Sequence, residues 1–110
     1  MNAVQTVERI INYFPPHPAS VRVINLLPEA AAIDVQIDGA TAFTGVTFQS
    51  LTGYQTYDNK TTNFSINVTG STTPLISFGF PLAGEQPYTI VVFGTLSNPS
   101  ATLLAGWPNR

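Results

Sequence analysis

The sequence predicts an all-β fold, an antiparallel sandwich of about seven to eight short strands. Three observations carry this. From Ser20 onward, apolar residues alternate with polar ones or gather in short runs. Turn residues separate those segments at steps of roughly 8 to 12 residues, among them Pro28, Asp38-Gly39, Pro74, Pro81 and Asn98-Pro99. Hydrophobic residues make up 44% of the 110-residue chain and charged residues only 9%. That balance excludes a disordered chain, which would be apolar-poor and charge-rich. It leaves Thr, Ser and Asn to cover the exterior.

The N-terminal segment stands apart. Val4, Val7, Ile11 and Phe14 recur at steps of three, four and three, with Ile10 beside them. That is helix spacing, and Asn2 with Gln5 could form a capping box. The same stretch, rich in Ile, Tyr and Phe, would also suit a strand over Thr6 to Phe14. Pro15-Pro16-His17-Pro18 then forms a stiff extended linker. Residues 1–19 are therefore an apolar arm with a Pro-rich linker, and residues 20–110 a single sandwich domain.

The strands follow in order. Val21 to Leu27 is apolar on both faces apart from Arg22 and Asn25, which predicts a central strand covered on both sides. Ile33, Val35 and Ile37 alternate with Asp34, Gln36 and Asp38, a half-buried strand. Asp38-Gly39 is a hairpin turn, and Ala40 to Phe43 the returning strand. A further extended piece runs from Val46 through Leu51 towards Tyr54. Phe64, Ile66 and Val68 mark the next strand, and Leu75 to Phe80 another. Tyr88 to Leu96 is the longest apolar strand, and Ala101 to Leu104 the last.

The net charge of -2 rests on four cations and six anions. Four scattered cations cannot build the basic patch that nucleic acid requires. Cysteine is absent, so disulfides and thiolate metal sites are excluded. Small secreted eukaryotic domains are usually disulfide-rich, so this absence favours a prokaryotic source. No apolar run reaches the ~20 residues of a membrane helix, and membrane insertion is not expected. Glu8 and Arg9 interrupt what would be the core of a signal peptide. That leaves a chain made without such export, a mature fragment, or a domain of a longer protein.

No residue pattern points to catalysis. The single histidine, His17, lies between two prolines of the linker, without a partner to orient it as a general base. A seryl or threonyl nucleophile needs a base within hydrogen-bond reach, and Lys60 is the only lysine. Asp34 and Asp38 share a strand face about 13 Å apart, too far for paired carboxylate chemistry. Glu29 and Asp34 could approach through the loop between them, but a calcium site needs six or more oxygens. The glycines are isolated turn residues and form no phosphate loop. No catalytic residue, cofactor or metal ligand is expected. Three sequons begin at Asn59, Asn63 and Asn67, and in a prokaryotic chain they read as polar surface. Tyr54, Tyr57 and Trp107 are candidates for stacking a glycan or packing on a partner.

The strands also spell a pattern. Val21-Arg22-Val23-Ile24-Asn25 leads into Leu27-Pro28-Glu29-Ala30-Ala31-Ala32-Ile33-Asp34-Val35-Gln36-Ile37-Asp38-Gly39. Phe48 and Tyr54 continue it, and Leu82-Ala83-Gly84 with Tyr88-Thr89-Ile90-Val91-Val92-Phe93-Gly94 close it. Over about residues 20 to 104 this resembles the prokaryotic DUF4397 family. Glu29 stands where that family usually has Asp, and Ala31 where it has Pro. Asp58-Asn59-Lys60-Thr61 replaces its usual Ala-Gly-Thr-Tyr turn. The arm lies outside the family pattern. The resemblance implies an immunoglobulin- or transthyretin-like sandwich, often secreted or surface-attached and often in tandem. It implies no enzymatic activity, and it implies that Asp34 bonds loop backbone.

The expected function is a non-enzymatic module at the cell surface or outside the cell, acting in structural or adhesive protein contact. A second expectation is self-assembly, with Val4, Val7, Ile10, Ile11 and Phe14 of the arm docking on a neighbouring subunit to give an oligomer or fibre. A third is carbohydrate binding through Tyr54, Tyr57 or Trp107.

Overall fold

A computed structural model of the protein describes residues 18–58, 60–84 and 86–106. The arm residues Val4, Val7, Ile10, Ile11 and Phe14 lie outside the described residues. So do His17, Asn59 and Trp107.

The described chain is built of eight strands and no helix. They are β1 (Ala19–Asn25), β2 (Ala32–Ile37), β3 (Ala40–Thr47), β4 (Gln55–Tyr57), β5 (Thr61–Val68), β6 (Pro74–Pro81), β7 (Pro87–Gly94) and β8 (Pro99–Ala105). Two four-stranded sheets form, sheet A in the order β4-β1-β7-β8 and sheet B in the order β3-β2-β5-β6. All pairings are antiparallel except β1 with β7, which run parallel from Ser20–Pro87 to Asn25–Val92.

The core follows from alternation. Ala19, Val21 and Val23 of β1 point inward with Tyr88, Ile90 and Val92 of β7. They meet Ile33, Val35 and Ile37 of β2 and Phe64 and Ile66 of β5. Phe64 is almost fully buried and stacks on Phe78 at 5.3 Å between ring centroids. Phe80 meets Tyr88 edge-on at 5.5 Å. Such offset and edge-on pairs suit the aromatic quadrupole. The Tyr88 hydroxyl accepts the Ala83 N–H at 2.9 Å, which pins the turn before β7.

The stretch from Val46 to Tyr54 differs from its sequence reading. Val46 and Thr47 complete β3, which is one strand of eight residues. Beyond it Gln49 takes a positive φ of 69°, and the Ser50 N–H returns to the Thr47 carbonyl at 3.0 Å. Phe48 and Leu51 make only single bridges, to Asn25 and Ile24. A turn that carries the chain from sheet B to sheet A replaces the expected strand. The short β4 beyond it then borders β1.

β3 also carries a bulge. Ile33 faces Val46 and Val35 faces Phe43, so Thr44 and Gly45 together oppose Asp34. Gly45 has a φ of 62°, which glycine reaches at little cost. The bulge takes the Gly45 N–H out of the ladder, and Asp34 Oδ1 accepts it at 2.9 Å.

Candidate functional site

Three carboxylates, Glu29, Asp34 and Asp38, brace turns and a bulge. Asp34 Oδ1 also accepts from Thr69 Oγ1 at 2.7 Å, which fastens the β5–β6 turn to β2. Asp34 thus bonds backbone, but at the β3 bulge and not in a loop as expected, and it reaches the β5–β6 turn through the Thr69 side chain. Asp38 opens the β2–β3 turn with a φ of 52°, and its Oδ1 accepts the Asn63 N–H at 2.9 Å. Its Oδ2 lies 3.4 Å from the Lys60 ammonium. The Asn63 N–H, with Lys60 beside it, holds the Asp38 carboxyl below its ordinary range. Glu29 Oε1 accepts the Leu96 N–H at 2.8 Å and secures the β7–β8 turn. Glu29 and Asp34 are therefore engaged separately. Among the described residues, no group of three or more His, Asp or Glu could hold a metal ion.

Asn25 has no exposed surface, yet its amide is fully engaged. Its Nδ2 donates to Val46 O at 2.9 Å and Ala30 O at 3.3 Å, and its Oδ1 accepts the Leu27 N–H at 2.9 Å. One side chain fixes the loop after β1 and ties it to β3.

The tyrosines part company. Tyr57 registers with inward-facing Ala19 and packs against the core, where burial pushes its phenol pKa up. Its hydroxyl donates to Gln55 Oε1 at 2.8 Å. Tyr54 is 43% exposed, and the Arg22 guanidinium lies 4.7 Å from its ring centroid. Arg22 Nε donates to Thr89 Oγ1 at 3.0 Å on the same outer side of sheet A. The two rings do not form one platform. Of the remaining sequon asparagines, Asn67 is buried and its Nδ2 donates to Ser71 O at 3.0 Å, whereas Asn63 is exposed.

The two sheets present unlike outer faces. On sheet B, Gln36, Asn63, Ser65 and Ser77 surround a shallow groove of about 380 Å³, with Gly39 and Gly79 at its borders. Phe64 and Phe78 also line it, so the groove combines amides and hydroxyls with aromatic surface. On sheet A the outer face is mixed: Ser20, Arg22, Thr89 and Thr102 are polar, and apolar residues gather towards the end where β1 leaves the sheet. Ile24 registers with Val91 and is bridged by Leu51 on its other side. The Leu26 N–H extends the ladder to the Val92 carbonyl at 2.7 Å, which sets Leu26 beside Phe93. Leu104 registers with Thr89. Leu26 is 38% exposed, Phe93 and Leu104 41%, and Leu51 46%. Leu96 in the β7–β8 turn adds to the same end.

Those residues were not singled out from the sequence, although the signal was there. Val21 to Leu27 and Tyr88 to Leu96 are apolar on both faces. β1 is central, as that pattern predicts. The second face is less covered than expected, since Ile24 and Val91 are only half-buried and Leu26 and Phe93 are exposed.

These features define a small two-sheet sandwich with turn-bracing carboxylates and an apolar patch on the outer face of one sheet. A family model for a domain of unknown function, DUF4397, matches residues 19–108, and the chain belongs to that family. No curated protein matches the chain. Among the described residues, no helix is long and apolar enough to cross a membrane.

Proposed function

We propose that the domain is a non-enzymatic module, carried outside or on the surface of a prokaryotic cell, that makes protein contacts through the outer face of sheet A. The observation that carries the reading is the run of Leu51, Ile24, Val91, Leu26 and Phe93 across that face. Soluble monomers seldom leave a contiguous apolar patch uncovered unless something docks there. Three carboxylates support the same reading, since Glu29, Asp34 and Asp38 each accept a backbone N–H. A surface of Thr, Ser and Asn with few charges, together with the family resemblance, supports the extracellular setting.

The test compares wild type, Phe93→Asp and Ser77→Asp, with Ser77 on the opposite sheet. Sedimentation velocity reads self-association, and retention of the labelled chain on intact source cells reads other partners. Phe93→Asp abolishes whichever association is present, and Ser77→Asp leaves it unchanged. Identical behaviour of all three overturns the reading. So does turnover of a substrate that one polar substitution abolishes.

A second reading, carbohydrate binding, is favoured by the groove on sheet B more than by the tyrosines. Its amides and hydroxyls, beside the apolar surface of Phe64 and Phe78, suit an uncharged polyhydroxyl ligand. Glycan-array binding that disappears with Gln36→Ala supports it, and an array without binding removes it.

A further inference from the structure

A sheet can accept a partner in two ways. Its edge takes a strand through backbone hydrogen bonds, and its face takes a helix through side-chain packing. The sequence of the arm decides between them. At helix spacing Val4, Val7, Ile10, Ile11 and Phe14 fall on one side, while Glu8, Arg9 and Asn12 fall on the other. At strand spacing Val4, Ile10 and Phe14 would face one way and Val7 and Ile11 the other. Only the helical arrangement presents all five to a single surface, and that surface must be a face.

The sizes agree. Residues 3 to 14 as a helix span about 18 Å at ~1.5 Å per residue. The outer face of sheet A spans about 14 Å across its four strands and about 13 Å from Arg22 to Leu26.

The linker decides whose face it is. Pro15, Pro16 and Pro18 hold φ near -65°, and Phe14, Pro15 and His17 each precede a proline, which disfavours helical or sharply turned backbone. Three prolines in the four residues before Ala19 therefore disfavour a sharp reversal of the chain there. The apolar patch lies at the other end of β1, around Ile24 and Leu26, about 20 Å further along. A short lead rich in proline disfavours folding the arm back along its own β1, and so favours the face of another copy.

From this juxtaposition we infer that residues 3–14 of a second copy of the chain dock as a helix on the outer face of sheet A, over Leu51, Ile24, Val91 and Phe93. The inference rests on the reading of that face as a docking surface and names its occupant. Each copy then offers one arm and one acceptor face, so contacts close into a ring or a reciprocal pair, or propagate as a filament.

The test separates donor from acceptor within the full chain. Ile10→Asp with Ile11→Asp disables the arm, and Phe93→Asp disables the face. Thermal melts establish that both variants are folded. In sedimentation velocity the wild type associates with concentration, and either variant alone raises the dissociation constant at least tenfold. An equimolar mixture of the two forms a 1:1 heterodimer, because the intact arm of one meets the intact face of the other. A wild type that stays monomeric at several hundred micromolar overturns the inference, as does a mixture without heterodimer. Association that survives the arm substitutions but not Phe93→Asp also overturns it, while leaving the face as a docking surface for another partner.

Discussion

Asn25 in sheet A donates its side-chain amide to the Val46 carbonyl in sheet B at 2.9 Å, with no part of Asn25 exposed. The contact joins the two layers where the chain leaves β1. Asn25→Ala strands the Val46 and Ala30 carbonyls and the Leu27 N–H in the interior, and unpartnered buried groups cost about 1–3 kcal/mol each. The expected loss is about 3 kcal/mol in urea unfolding, with an unchanged slope. Asn25→Asp costs more, because a carboxylate would face two carbonyl oxygens.

Two glycines separate conformational strain from steric clash. At Gly45, with φ of 62°, an added Cβ meets nothing within 4 Å. Gly45→Ala should cost about 1 kcal/mol, the price of the left-handed backbone alone. At Gly94, with φ of 97°, the same atom would lie 2.6 Å from the Asn98 carbonyl oxygen. Gly94→Ala should cost about 3 kcal/mol or more, since the β7–β8 turn must open. Equal losses for both variants would contradict this account.

The acid limb of stability carries a signature of Asp38. Its carboxyl pKa is lowered in the folded protein, first by the Asn63 N–H and also by Lys60, while partial desolvation opposes them. Its stabilising effect is thus fully present above the ordinary carboxylate pKa and is lost as pH falls through the lowered native value. Asp38→Asn keeps an oxygen for the Asn63 N–H and tolerates the positive φ. Unfolding curves from pH 6 down to pH 2 should therefore fall less steeply for this variant than for wild type.

The Arg22–Tyr54 contact should depend on the ring and not on its hydroxyl. Tyr54→Phe leaves stability within a few tenths of a kcal/mol, and Tyr54→Ala lowers it by about 1 kcal/mol. A large effect of Tyr54→Phe would assign the contribution to the hydroxyl instead.

Most strands were legible because burial imposes a period of two on the chain. Ile33, Val35 and Ile37 announced β2, and Phe64 and Ile66 announced β5. Asp38-Gly39 marked its turn by chemistry alone. What escaped was set by partners distant in sequence. β4 has only three residues and no apolar period, so its pairing with Ala19 to Val21 is a tertiary event. The turn at Gln49 follows from a left-handed residue that lacks the usual Gly or Asn signal. The parallel register of β1 with β7 also leaves no local mark. At the site, doubly apolar strands could not by themselves say which side would remain open. Arg22, isolated among apolar residues, gave no hint of its place between Tyr54 and Thr89.

The β1–β7 pairing has a consequence for biosynthesis. All four strands of sheet B lie between residues 32 and 81 and join neighbour to near neighbour, so that layer can assemble while translation continues. β1 leaves the ribosome before the other described strands but finds its long partner only after residues 87–94 emerge. The nascent domain must therefore keep β1 soluble until β7 emerges, which gives chaperones a defined interval in which to hold it.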